Sequence, residues 1–218
     1  MSRTITVRGT GKISKAPDQI ALLLSLECTD MKYDKVVESA NRAITFLTVA
    51  VNGAGLDEKE LKTQSYQIDT DYDNVRNKDG NYHRVFNGYV CRICTAIRFP
   101  LDMKLLALVL HTISECKANP EIGIHFELAD EDAAKDEMLV EAAKDAKKKA
   151  ELLAKAADVS LGQLQSIQYA WDEIKFESPT TYACCEEATC APAPGGLADI
   201  TPEDVERSDT AVFVWEIV

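Results

Sequence analysis

Seven cysteines, at positions 28, 91, 94, 116, 184, 185 and 190, give this chain its widest choice of chemistry. Cys184-Cys185-x-x-x-x-Cys190, with Glu186 and Glu187 inside it, has the composition of a loop that wraps a soft metal ion such as zinc. Three thiolates leave a tetrahedral site one ligand short, and the fourth would come from Cys94, Cys116, a histidine or a second subunit. The plainer reading is three free loop thiols and no cofactor. Cys91-x-x-Cys94 has a spacing shared by redox pairs and zinc knuckles. In a continuous strand, however, residues three apart point to opposite faces, so the two thiols neither chelate one ion nor bridge unless a bulge intervenes. Cys91 falls on the apolar face and reads as a small buried hydrophobe.

Other motifs carry less. Gly9-Thr10-Gly11-Lys12 resembles a phosphate loop only in outline, because a Walker A motif needs glycine where Thr6 stands and a hydroxyl where Ile13 stands. The expectation is a turn between two strands, with the glycines supplying positive φ. His83 falls in an expected hairpin loop, His111 on the polar side of a helix and His125 on the polar face of a strand, and nothing in the spacing groups them into a nucleophile-base pair. Asp69-Thr70-Asp71-Tyr72-Asp73 and Asp130-Glu131-Asp132 lack the twelve-residue pattern of a calcium loop. A solvated strand end and a helix start explain them.

The elements that would position these residues follow from periodicity. Thr4 to Arg8 and Ile20, Leu22, Leu24, Leu26 and Cys28 read as two opening strands. Thr29-Asp30 caps a helix through Asn52, which Gly53-Ala54-Gly55 ends. A strand around Tyr66, Ile68 and Tyr72 leads through a polar loop, Asn74 to His83, into a long strand from Val85 to Phe99. On that strand Val85, Tyr89, Cys91, Ile93, Ile97 and Phe99 share one face, while Arg84, Arg92 and Arg98 share the other. Leu101 to Lys117 reads as a second helix and Ile122 to Leu128 as a strand. Asp130 opens a third helix of about 28 residues, some 42 Å at 1.5 Å per residue. Its expected packing stripe is Leu139, Ala143, Ala146, Ala150, Leu153 and Ala157. Strands follow at Ser166 to Phe176 and Thr210 to Val218, separated by a mobile excursion over Ser178 to Asp204 that is rich in Ala, Pro, Gly, Thr and Glu. The expected order is ββαββαβαββ.

Composition narrows the partners. The chain has 218 residues, 46% of them hydrophobic, enough for a substantial core as one domain over 1–218 or as two small interleaved ones. A formal net charge of -12 repels phosphate backbones and anionic lipid surfaces, so nucleic acid is not an expected partner. No run approaches the roughly 20 apolar residues of a membrane-spanning helix. The odd cysteine count fits reduced thiols better than a secreted disulfide framework. Strand-like sequence follows Met1-Ser2-Arg3-Thr4 directly, so the chain as given is expected to be cytoplasmic, or periplasmic if a leader has been removed.

That order, with Ile5 to Lys12, Pro17-Asp18, Gln64-Ser65-Tyr66-Gln67-Ile68, Gly88-Tyr89 and Glu141-Ala142-Ala143-Lys144-Asp145-Ala146-Lys147-Lys148-Lys149-Ala150, resembles the SIMPL-domain family over nearly the whole chain. That family takes its name from an adaptor that binds a Pelle-like kinase, and it includes bacterial periplasmic or outer-membrane immunogenic proteins of unresolved biochemical role. The resemblance implies an α+β fold, a largely antiparallel curved sheet packed by three helices, and in some bacterial relatives a ring-like, channel-shaped homo-oligomer. It brings no established catalytic residues. The chain departs from the usual bacterial pattern by lacking a signal peptide as given and by carrying Cys184, Cys185 and Cys190 in the late loop. The expected function is therefore a non-enzymatic scaffold or binding module, with a protein partner or a second copy of itself. Arg92 and Arg98, on the outer face of a strand in an acidic protein, are the expected subunit contact. The alternatives are a thiol- or metal-handling protein using the Cys184, Cys185 and Cys190 loop, and an enzyme whose site forms between subunits.

Overall fold

A computed structural model describes residues 3–76, 82–170, 174–184 and 200–218. In chain order the described elements are β1 (Arg3–Lys15), β2 (Gln19–Asp30), α1 (Tyr33–Gly53), β3 (Lys62–Arg76), β4 (Tyr82–Pro100), α2 (Met103–Ser114), β5 (Glu121–Glu127), α3 (Glu131–Ala156), β6 (Leu161–Gln168), β7 (Glu177–Cys184) and β8 (Val205–Ile217). The class is α+β, with antiparallel pairing of β1 and β6 to β8 and of β2 and β3 to β4. The chain divides into two compact units interleaved in sequence: Met1–Asp18, Glu127–Pro179 and Pro202–Val218 form the first, and Gln19–Phe126 with Thr180–Thr201 the second.

The first unit is a three-stranded sheet, ordered β1-β8-β6, covered by α3. Asp130 caps α3 by accepting the Ala133 N–H at 2.8 Å, and Glu131 and Asp132 sit favourably in its first turn. The buried residues of α3 recur every fourth position, at Ala134, Met138, Ala142, Ala146, Ala150 and Ala154. The buried residues of β1 recur every second, at Val7, Gly9, Gly11 and Ile13. Two strand residues advance about 6.6–6.8 Å, and four helix residues about 6.0 Å. The two repeats therefore stay in step, Val7 packing with Ala146 and Ala150 at one end and Ile13 with Ala134 and Met138 at the other. Only Ala146 and Ala150 of the expected stripe belong to this row, and Leu153 is 48% exposed.

The Gly9 to Lys12 segment is the clearest correction. It is continuous strand within β1 rather than a turn, paired residue for residue with β8, and neither glycine has positive φ. The glycines are needed for closeness: a Cβ at Gly9 would lie 1.9 Å from the Ala142 carbonyl oxygen, and one at Gly11 1.8 Å from that of Met138. The chain turns instead at Pro17-Asp18, where Asp18 donates its N–H to Glu127 O and accepts the Ala129 N–H on Oδ1 at 2.7 Å.

The end of the chain also differs from expectation. β6 begins and ends earlier than expected, and Phe176 is a fully buried core residue beside Ile13, Met138 and Val205. An additional strand, β7, occupies the start of the expected excursion, which gives ββαββαβαβββ. The start of β7 is held from two places: Arg207 of β8 donates to the carbonyls of Lys175 at 2.6 Å and Glu177 at 2.8 Å, and Ser178 Oγ donates at 2.7 Å to Glu203 O, just before β8.

The second unit is built on a five-stranded sheet in the order β3-β4-β2-β5-β7. On one face Ile20, Leu22, Leu24 and Leu26 stand opposite Phe99, Ile97, Thr95 and Ile93. Val36, Ala40, Leu47 and Val51 of α1 and Leu106, Val109 and Ile113 of α2 complete that core. Asp102 starts α2 by accepting from Lys104 N and Leu105 N. No helix among the described residues is long and apolar enough to cross a membrane.

Candidate functional site

β3 and β4 are longer than the strand beside them, and that mismatch creates the most distinctive surface of the second unit. β4 pairs with β3 from Tyr82 to Ala96 but with β2 only from Tyr89 to Pro100, so among the described residues Tyr82 to Gly88 pairs with β3 alone. Gly88 marks the departure. Its φ is +125°, and a Cβ there would meet the Asp30 carbonyl oxygen at 2.7 Å, so both conformation and space demand glycine. Beyond it the two-stranded ribbon exposes Tyr72, Val75, Tyr82, Val85 and Phe86. Tyr72, Phe86, Tyr89 and Tyr33 form a chain of edge-to-face contacts with ring centroids 5.4–5.7 Å apart, and the Arg84 guanidinium lies 4.4 Å above the Tyr72 ring. Such geometry fixes the rings while Tyr33, Tyr72 and Phe86 remain exposed. The ribbon offers apolar area and, among the described residues, the outer edge of β3, which is what another strand or aromatic surface packs against.

At the base of the ribbon, Arg92 donates through Nε to Glu27 Oε2 at 2.8 Å, with its Nη1 3.7 Å from Asp69 Oδ2. It thus spans β2, β4 and β3 on the face opposite the helices. Arg92 is solvent-exposed, as is Arg98 further along the same strand. An exposed pair of this kind adds at most about 1 kcal/mol.

The thiols separate as the strand period requires. Cys91 is fully buried on the helix-covered face; Cys94 is half-buried, its Sγ 3.6 Å from Gln64 Oε1. Cys91 instead stands directly opposite Cys28 of β2, and both thiols are free. Burial pushes the Cys28 thiol up, helped by the neighbouring Cys91 and Glu27. Burial also raises the Cys91 thiol, against a hydrogen bond from Tyr66 that favours the thiolate. Cys184 closes β7, while Cys185 and Cys190 lie outside the described residues. His83 lies on β4 rather than in a loop, His111 is 3.7 Å from Glu115 on α2, and His125 is on β5. Among the described residues no three His, Cys, Asp or Glu side chains gather as a metal site.

In the first unit a shallow depression of about 660 Å³ lies over β1 and α3, with Lys12, Lys144, Lys148 and Lys149 around it. Asp145 anchors it, accepting from Lys149 Nζ at 2.6 Å and Thr10 N at 2.8 Å. Those two hydrogen bonds, the lysine's first, hold the Asp145 carboxyl below the usual carboxylate range. Four lysines against Glu141 and Asp145 leave a local positive balance in an acidic protein, although Lys144 and Lys149 are already paired with those acids.

Sequence reasoning placed Arg92 and Arg98 on one face of the long strand and Tyr66 and Tyr72 on the strand before it, yet missed the ribbon and the facing thiols. Both depend on register: the aromatic and cysteine positions were visible, but which strand ends first, and which cysteine faces which, is set by pairing.

Residues 5–215 match the family model SIMPL, described as a protein of unknown function (DUF541). A search of curated proteins finds no match to the chain.

Proposed function

The chain belongs to the SIMPL family, and on that premise we propose that it is a self-associating scaffold or binding module whose copies meet along the β3–β4 ribbon. The observation that carries this reading is the exposure of Tyr72, Val75, Tyr82, Val85 and Phe86 on a ribbon that has lost its third strand. A two-stranded hairpin is only marginally stable in water by itself, and an exposed apolar ribbon with a free edge is a surface that proteins otherwise cover. Net charge of -12 works against contact between copies, so the interface needs apolar area to overcome the repulsion. The Arg92 and Arg98 face adds the complementary charge that sets register and on-rate more than affinity. The ring-like homo-oligomers implied by the family resemblance support the same reading.

The test is the particle mass of a Tyr82→Ser, Phe86→Ser double variant beside Arg92→Glu, Arg98→Glu. The ribbon variant is expected to fall to the 24.0 kDa of one chain and the arginine variant to a weaker assembly. Assemblies of unchanged mass and strength in both would remove the ribbon and the arginine face from the interface.

A further inference from the structure

Cys28 and Cys91 occupy opposed positions of the antiparallel pair β2·β4, with their side chains on the same, helix-covered face. Opposed residues in such a pair have Cα atoms about 4.5 or 5.5 Å apart, depending on whether they share hydrogen bonds. Both values fall inside the roughly 4.4–6.8 Å that a disulfide spans. Cys94 and Cys116 lack this placement: Cys94 is opposite Ser25 and Ser65, and Cys116 follows the end of α2. Sequence spacing hid the pair, because Cys91-x-x-Cys94 drew attention to a partner on the wrong face.

We infer that Cys28 and Cys91 form a reversible cross-strand disulfide by thiol–disulfide exchange with a small-molecule or protein disulfide. Half-buried Cys28 is the thiol a reagent reaches; fully buried Cys91 is the resolving thiol, with the Tyr66 hydroxyl beside it. The Cys28 thiolate attacks one sulfur of the incoming disulfide and releases the first reagent thiolate. The Cys91 thiolate then attacks the Cys28 sulfur of the mixed disulfide and releases the second. The protein gives up two protons and two electrons, and the reagent leaves as two thiols. Burial keeps both thiols protonated near neutral pH, so the exchange is slow and does not make the pair a fast peroxide sensor.

Two consequences follow from position. Opposed Cβ atoms in a sheet sit about 4.5–5.5 Å apart, somewhat beyond the roughly 3.8 Å of an unstrained disulfide. Closure therefore draws the strands together and leaves a bond that thiols reduce readily. The staple also lies three residues from Gly88, where β4 leaves β2, so it clamps the root of the ribbon in an oxidising environment and frees it in a reducing one.

The assignment stands independently of self-association, and its test reads covalent linkage rather than particle mass. The full chain is reduced, cleared of reductant, incubated natively with excess oxidised glutathione, alkylated, and mapped as peptides without reduction. The expected product is a peptide pair joined through Cys28 and Cys91, with Cys94 and Cys116 alkylated. In Cys91→Ala, which keeps a small apolar side chain in the core, Cys28 is expected to retain glutathione as the trapped mixed disulfide. Wild-type protein in which both thiols are alkylated after oxidation, or in which Cys28 is joined to any other cysteine, overturns the inference.

Discussion

Gly9 and Gly11 are the residues on which the first unit turns. Each alanine substitution would drive a methyl group into a carbonyl of α3 less than 2 Å away, and backbone cannot step aside as a flexible side chain can. Overpacking of this kind costs about 1–3 kcal/mol, more where backbone must shift. Gly9→Ala and Gly11→Ala are therefore expected to lower stability by at least that amount in urea unfolding, whereas Gly53→Ala, which meets nothing within 4 Å, should not. The sequence shows two glycines beside a lysine, and a turn is the ordinary inference. Only the Ala142 and Met138 carbonyls opposite them reveal that the missing Cβ matters more than the permitted φ. Asp145 yields a pH prediction from the same helix. Its carboxyl is lowered by Lys149 and by the Thr10 N–H, so its contribution is fully present above the unfolded carboxylate pKa of about 3.9 and is lost as pH falls through the lower folded value. A carboxyl titration followed by NMR should place Asp145 below the ordinary aspartate value of about 3.9, and Lys149→Met should move it up. A titration at the ordinary aspartate value would contradict the hydrogen-bonded geometry.

Helix α3 and its strand show how an element reads clearly in outline and poorly in detail. Its start at Asp130 and its alanine-rich face were legible, because caps and composition are local. Which alanines face the sheet was not, because the buried row steps by four, in time with β1, and slides around the helix relative to a 3.6-residue average. The same limit applies at Phe176 and β7. A segment followed by Pro, Thr and Ala looks like the start of a loop, yet Arg207 of β8 binds the Lys175 and Glu177 carbonyls, Ser178 Oγ donates to Glu203 O, and Phe176 fills the core. Those long-range bonds have no local signature. Phe176→Ala is expected to cost about 3–5 kcal/mol, the range for emptying a buried aromatic site. Thermal unfolding would check it, and a variant as stable as the parent would mean that Phe176 is not packed as described.

At the scale of the whole molecule, net charge and the ribbon pull in opposite directions. The α+β class and antiparallel order were readable from alternation and helical period, because each buried face imposes its own repeat. The exposed ribbon was not, since β3 and β4 outrun β2 only after register is fixed. If apolar ribbon contacts carry the association, raising ionic strength should strengthen it: screening shortens the Debye length from about 10 Å at 0.1 M to about 3 Å at 1 M and relieves repulsion between chains of net charge -12. Sedimentation across that range would show larger assemblies at high salt. Dissociation by salt would shift the weight to the arginine face. The most direct measurement is native mass spectrometry of the freshly purified, reduced chain at micromolar concentration. The account predicts an integral multiple of 24.0 kDa greater than one, and a single 24.0 kDa species throughout would contradict it.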